Sequence, residues 1–236
     1  MAAEGVREGL PALAARHGLG VEQVRPLERL LEGLERSEHA PTSAAAADQA
    51  LDVHLADSLV ALELGVLGDM EAVADIGAGA GFPGFPLAVA LPGTAFRLVE
   101  SQARRCRFMQ ELALAAGIAN AEIVCARAES WQEGLGANDA VLARALAPQP
   151  VVLEYAAPLL RPGGMLLDWR GRRDPGEEAA ARAATAELGL ALLEIRPVTP
   201  FAGSRDRHLH LFSKTAETPP RFPRRPGTAR KRPLGG

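Results

Sequence analysis

The sequence predicts an α/β fold, a mostly parallel seven-stranded sheet with helices on both faces, preceded by an N-terminal helical segment. Three observations carry this prediction. Short apolar, β-rich runs alternate with helical stretches from about residue 71 onward. A cluster of glycines directly follows the first of those runs. At 236 residues, the chain is long enough to bury a substantial core.

Residues 3–36 read as helical. Val21, Val24, Leu27, Leu30, Leu31 and Leu34 recur at three- and four-residue steps and so share one face. Pro26 interrupts that pattern and is expected in the first turn or at a kink. A second helix follows, with Thr42 or Ser43 as its cap; His54, Asp57 and Ser58 share a face of it. The expected strands are Ala72–Ile76, Ala95–Val99, Glu122–Cys125, Ala140–Ala143 and Met165–Trp169. Between and after them lie helical stretches at Pro86–Leu91, Ala103–Ala116, Pro148–Leu160 and Pro175–Leu188, with "RPGG" at Arg161–Gly164 punctuating the last crossover. Two closing strands, Ala191–Pro197 and His208–Ser213, are joined by a short link, which favours an antiparallel hairpin. Three parts follow: a helical segment over 1–65, a ligand-binding domain over 66–214 and a basic tail over 215–236.

Composition excludes several classes. Hydrophobic residues make up 47% and charged residues 23%, which is ordinary for a globular chain. No uninterrupted apolar run approaches a membrane span, and the acid-bearing N-terminus does not read as a signal peptide. Cys106 and Cys125 lie in different segments and form neither a CxxC nor a zinc cluster, so a reduced, cytoplasmic setting and no metal are expected. The net charge of −3 hides an asymmetry, because Lys214 to Gly236 carries seven basic residues and a single acid, Glu217. A tail of about +6 on a body of about −9 fits either a polyanionic partner or a solvated end.

The stretch "VADIGAGAGFPGFP", Val73–Pro86, carries the chemistry. Ligands of open α/β sheets bind at the carboxyl ends of the strands, and the first strand–helix turn is the usual place. Gly77, Gly79 and Gly81 let the backbone turn tightly and let a ligand approach without meeting a Cβ, while Pro83 can reopen a helix. A dinucleotide pattern can be set on Gly79, Gly81 and Gly84. The pattern acid-x-G-x-G-x-G, on Asp75, Gly77, Gly79 and Gly81, fits instead in register with the strand end. It is the loop that receives the adenosine and amino-acid parts of S-adenosylmethionine (SAM). Glu100, ending the second strand, suits ribose hydroxyls under either reading. Ala128 and Glu129, after the third strand, can meet an adenine edge or be an exposed turn. Arg144, after the fourth, can hold a carboxylate or phosphate or make a surface ion pair.

"HLADSL" (His54–Leu59), "DIGAGAGFPGFPLA" (Asp75–Ala88), "RRCRFMQELA" (Arg104–Ala113), "ARAESW" (Ala126–Trp131), "LARALAP" (Leu142–Pro148), "LLRPGG" (Leu159–Gly164) and "FPRRPGTARKRPL" (Phe222–Leu234) occur in an order that resembles the RsmG (GidB) family. Its members methylate N7 of a guanine in 16S ribosomal RNA. The resemblance implies a Rossmann-like SAM-methyltransferase fold, with SAM contacts at Gly77, Phe82, Ala128, Glu129 and Arg144. Glu100 stands where members often carry Asp. The stretch "LERSEHAPTS" departs from the Trp and Asn-Leu-Thr pattern usual before the HxxDS helix. The expected partner is 16S rRNA within the small ribosomal subunit, bound by a monomer through Arg104, Arg107, Arg224 and Arg225, with Arg105 pointing elsewhere and His54 and Asp57 lining a base pocket or tying the helices to the sheet. A small-molecule methyltransferase, an NAD(P)-dependent oxidoreductase and a non-catalytic assembly factor are the competing readings.

Overall fold

The computed structural model describes residues 2–36 and 47–235. The cap expected at Thr42 or Ser43 lies outside the described residues. Helices α1 (Ala2–Arg16) and α2 (Val21–Arg36) replace the single helical stretch, broken where Gly18 takes a left-handed conformation. Pro26 sits inside α2, beyond its first turn. Leu27, Leu30, Leu31 and Leu34 are buried as the spacing predicts, whereas Val21 at the helix start is 86% exposed.

The second helix is irregular. A turn of α-helix, α3 (Ala47–Ala50), runs into a π-helical stretch at Leu51–Ala56, then a short α4 (Asp57–Leu59) and a 3-10 turn at Val60–Leu64. π-Helical turns widen the backbone and recur at functional sites. Here the widening turn carries His54 and leads into Asp57.

The sheet holds β1 (Ala72–Ile76), β2 (Ala95–Val99), β3 (Ala121–Val124), β4 (Asn138–Arg144), β5 (Leu160–Arg170), β6 (Leu190–Pro197) and β7 (His208–Lys214). Their order is β3-β2-β1-β4-β5-β7-β6. The first five pair in parallel; β7 runs antiparallel to β5 and to β6, so the closing hairpin forms as expected. Helices α5 (Gly84–Ala90), α6 (Ala103–Ala116), α7 (Gln149–Ala156) and α8 (Pro175–Leu188) cover the faces. Strand β5 starts five residues earlier than the sequence predicts, because "RPGG" joins the strand and its pairing with β4 shifts register between Asn138 and Ala140.

Two apolar layers sandwich the sheet. One gathers Leu27, Leu30, Leu59, Phe85, Phe96 and Met109 with the N-terminal helices. The other gathers Ile76, Val141, Val152, Leu188 and Phe212, and takes in Phe222 and Ala229. The basic tail therefore returns to the body: it forms a short α9 (Thr228–Lys231), and the Arg224 fork grips the buried Glu154.

Candidate functional site

A cavity of about 540 Å³ opens at the carboxyl ends of the central strands. That volume lies within the roughly 300–1,000 Å³ usual for small-molecule sites. Gly77 to Ala80 form its floor. Val53, His54, Asp57 and Phe82 form one wall. Trp169, Arg170, Arg172, Arg207 and His208 form the other. The strand order reverses between β1 and β4, so the cavity occupies the switch point of the sheet.

The glycines act differently from one another. Gly79 has φ +63°, and a Cβ there would meet only the Gly77 carbonyl, 3.8 Å away. Its backbone is thus open to the cavity, a cradle into which a ligand can settle. A Cβ on Gly81 would drive into the Phe85 ring, so this glycine serves packing.

Asp75 lies under the loop, 1% exposed, and does not line the cavity. Its Oδ2 accepts the Gly84 N–H at 2.8 Å and so fixes the start of α5. Burial pushes its carboxyl up to about 7, against the Gly84 N–H and the Arg144 charge, which lower it. A folded-state pKa above the unfolded value means that the unfolded chain releases this proton first as pH rises. This group's contribution to stability therefore falls between about pH 4 and about pH 7. Asp75→Asn, whose amide oxygen can still accept from Gly84, is expected to remove that contribution. Its urea midpoint should gain on the wild type between pH 5 and pH 8; parallel curves would refute the assignment.

Glu100 is also buried and busy. Its Oε2 accepts from Gly79 N–H at 3.2 Å, its Oε1 from Gln102 N–H at 2.8 Å, and Arg105 stands 3.5 Å away. Glu129 is turned toward the tail, accepting from Gly227 N–H at 3.2 Å, and Ala128 begins a 3-10 turn. Neither lines the cavity.

Arg144 ties the widened helix to the sheet. One Nη1 donates to the Val53 carbonyl at 3.0 Å and to Asp57 Oδ2 at 2.9 Å. Arg207 Nε lies 3.5 Å from Asp57 Oδ1, and Trp169 Nε1 donates to the Asp57 carbonyl at 2.7 Å. Asp57 thus lines the cavity and anchors the helix to the sheet. Ser58 is fully buried and donates to the His54 carbonyl. His54 is only 6% exposed, its ring centroid is 4.9 Å from that of Phe82, and among the described residues both ring nitrogens lack a hydrogen-bond partner. Burial, reinforced by Arg144, lowers its pKa to about 4, so the ring is neutral at pH 7.

The arginines proposed for RNA are scattered. Arg104 and Arg107 are exposed on α6, away from the cavity lining, whereas Arg105 reaches that lining. Arg224 is committed to Glu154, and Arg225 is exposed. Sequence reasoning missed Trp169, Arg172, Arg207 and His208. "WRGRRD" and "SRDRH" were the available signals, arginine-dense stretches flanking strands. The cysteines require a correction. Cys106 and Cys125 form a disulfide with Cα atoms 5.8 Å apart. The first turn of α6 comes back over the end of β3, so two distant segments meet. Among the described residues, no cluster suited to a metal and no helix long and apolar enough to cross a membrane is present.

The sheet order and the glycine cradle at its switch point define a Rossmann-like fold of the kind methyltransferases use. Aeropyrum pernix fibrillarin, solved with natively bound SAM, superposes with a TM-score of 0.50 at 15% identity, covering 62% of this chain and 68% of that one. The chain belongs to the GidB family, rRNA small subunit methyltransferase G, whose model matches residues 24–209. The Synechococcus ribosomal RNA small subunit methyltransferase G is 40% identical over 192 residues, 77% of this chain and 73% of its own. The Pelotomaculum thermopropionicum protein of that name is 35% identical over 98% of both chains. The protein is thus an rRNA methyltransferase, and the oxidoreductase reading falls.

Proposed function

We propose that this chain transfers the methyl group of SAM to N7 of a guanine in 16S rRNA. The observation that carries the reading is the open glycine cradle at the switch point of the sheet, in a chain of the rRNA methyltransferase G family. Guanine N7 offers a free lone pair and has no proton to lose. His54 is held neutral with little proton affinity, and Asp57 is ion-paired with two arginines. Such a set can position a nucleophile but is poorly suited to deprotonating one.

Bound SAM would supply the methyl group on a sulfonium that loses its charge during transfer. Gly77 and Gly79 would hold it on the cavity floor with Phe82 against its side, and Arg144 would brace the wall. Glu100, Ala128 and Glu129 would take its adenosine end after the local rearrangement that their present contacts require. Asp75 would act by shaping the loop. His54 and Asp57 would meet the target base. The substrate is 16S rRNA in the small subunit, and the enzyme is a cytoplasmic monomer.

The test is transfer of labelled methyl from SAM to purified 30S subunits lacking N7 methylation, beside naked rRNA and free nucleotides. Label recovered as 7-methylguanine in 30S rRNA supports the reading. Label in free nucleotides alone, or in none of them, overturns it.

A further inference from the structure

The charges lining the cavity do not balance. Arg105, Arg144, Arg170, Arg172 and Arg207 reach the lining. Glu100 faces Arg105, Glu177 holds Arg170, and Asp57 is shared by Arg144 and Arg207. Arg172 is exposed and, among the described residues, makes no ion pair or side-chain hydrogen bond. A positive wall persists on a chain whose net charge is −3.

A second observation lies in the backbone. Among the described residues, only two non-glycine residues have positive φ: Ala145 at 52° and Asp206 at 51°. One directly follows Arg144 and the other directly precedes Arg207. A left-handed conformation is strained for a non-glycine residue, and such strain gathers at ligand clamps. Both bends therefore sit where the chain aims an arginine at the cavity. The tail offers fewer available charges, because Arg221 pairs with Glu187, Arg224 with Glu154, and Arg230 donates to the Leu146 carbonyl.

We propose that the outer half of the cavity, between Arg172 and Arg207, seats a phosphodiester of the RNA strand next to the target nucleotide. This rests on the rRNA reading above. A phosphodiester presents two anionic oxygens, which suit a planar guanidinium fork. Arg207 has its Nε beside Asp57 and its Nη1 donating to the Arg205 carbonyl at 3.3 Å, which leaves Nη2 for the strand, while Arg172 on the same wall supplies a whole guanidinium fork. Phosphate contacts of this kind fix register and leave sequence unread.

The experiment measures equilibrium binding to labelled 30S subunits across a potassium chloride series, with methyl transfer followed in parallel. Arg172→Ala is expected to raise KM for 30S about tenfold, with kcat within about threefold and SAM affinity unchanged. The log–log salt slope of binding should become shallower by roughly 0.7–0.9, one phosphate's worth. Arg172→Lys should recover part of the affinity. Arg25→Ala, exposed on α2 and outside the cavity lining, should leave KM and slope near wild type. If Arg172→Ala changes neither KM nor slope while the wild type methylates 30S, the phosphate seat is wrong and the methyltransferase reading stands. If the wild type binds 30S in an Arg172-dependent manner yet transfers no methyl, the seat holds and the proposed reaction fails. If only Arg225→Ala flattens the slope, the strand runs along the tail and the seat is wrong.

Discussion

Arg144→Ala is expected to lower kcat/KM for methyl transfer by about 100-fold and unfolding free energy by about 3 kcal/mol. Among the described residues, Arg144 is the one side chain that bonds both the Val53 carbonyl and the Asp57 carboxylate, joining the widened helix to the end of β4. Its side chain is 16% exposed and that of Asp57 11%, so water screens the pair poorly. Removing the cation leaves Asp57, among the described residues, with only the looser Arg207 contact at 3.5 Å. A carboxylate stranded in that setting costs several kcal/mol unless it moves or protonates. Moving it displaces the His54 wall from the glycine floor, and a shift of about 1 Å can cost 100-fold in rate. Arg144→Lys keeps the charge but loses the fork, so an intermediate loss of about tenfold is expected. Calorimetry with SAM separates two origins. A weaker SAM affinity assigns the loss to cofactor binding, and an unchanged affinity with lower kcat assigns it to base positioning. Activity within threefold of wild type, in a folded variant, would show that this tie is not needed to shape the site.

Local pattern made the sheet legible. The observed bounds of β1 and β2 coincide with those read from the sequence, because each is a short apolar run closed by a turn signal or an acid. Strand β5 was read short because "RPGG" has the chemistry of a turn, yet its pairing with β4 carries it into the sheet. The floor of the site was also legible, since a strand followed by spaced glycines is a local signal. The far wall was not. Trp169 and Arg170 stand opposite Leu209 and His208 only through antiparallel pairing of β5 with β7. Arg207 and Arg172 converge for the same reason, and no spacing in the chain announces it. Asp75 and Glu100 were correctly placed at strand ends. Their burial depends on how the loop folds back over them, which the motif does not contain. The disulfide depended likewise on the crossover bringing α6 over β3.

The tail was read as a solvated or RNA-binding arm from charge alone, and Arg224→Ala tests what its packing does instead. Glu154 on α7 is 1% exposed, and the Arg224 fork engages both of its oxygens, with Nε donating to Oε1 at 2.7 Å. Arg224 also donates to the Arg232 carbonyl at 2.8 Å, closing the tail on itself. Phe222 beside it is buried at 7%. Loss of the guanidinium leaves a buried carboxylate without its cation, a defect worth about 3–5 kcal/mol when the pair is fully enclosed. The Arg224 side chain is 23% exposed, so water can enter and the expected loss is about 2–4 kcal/mol. For a chain of this size that corresponds to a Tm lower by roughly 5–15 °C. Adding Glu154→Leu to Arg224→Ala removes the stranded charge and should recover more than half of the loss, the signature of a coupled pair. The salt slope of 30S binding should be unchanged in the single variant, since this arginine already has its anion. A variant as stable as wild type but with a shallower slope would return Arg224 to the RNA. Glu154 would then be an acid that tolerates burial without its partner.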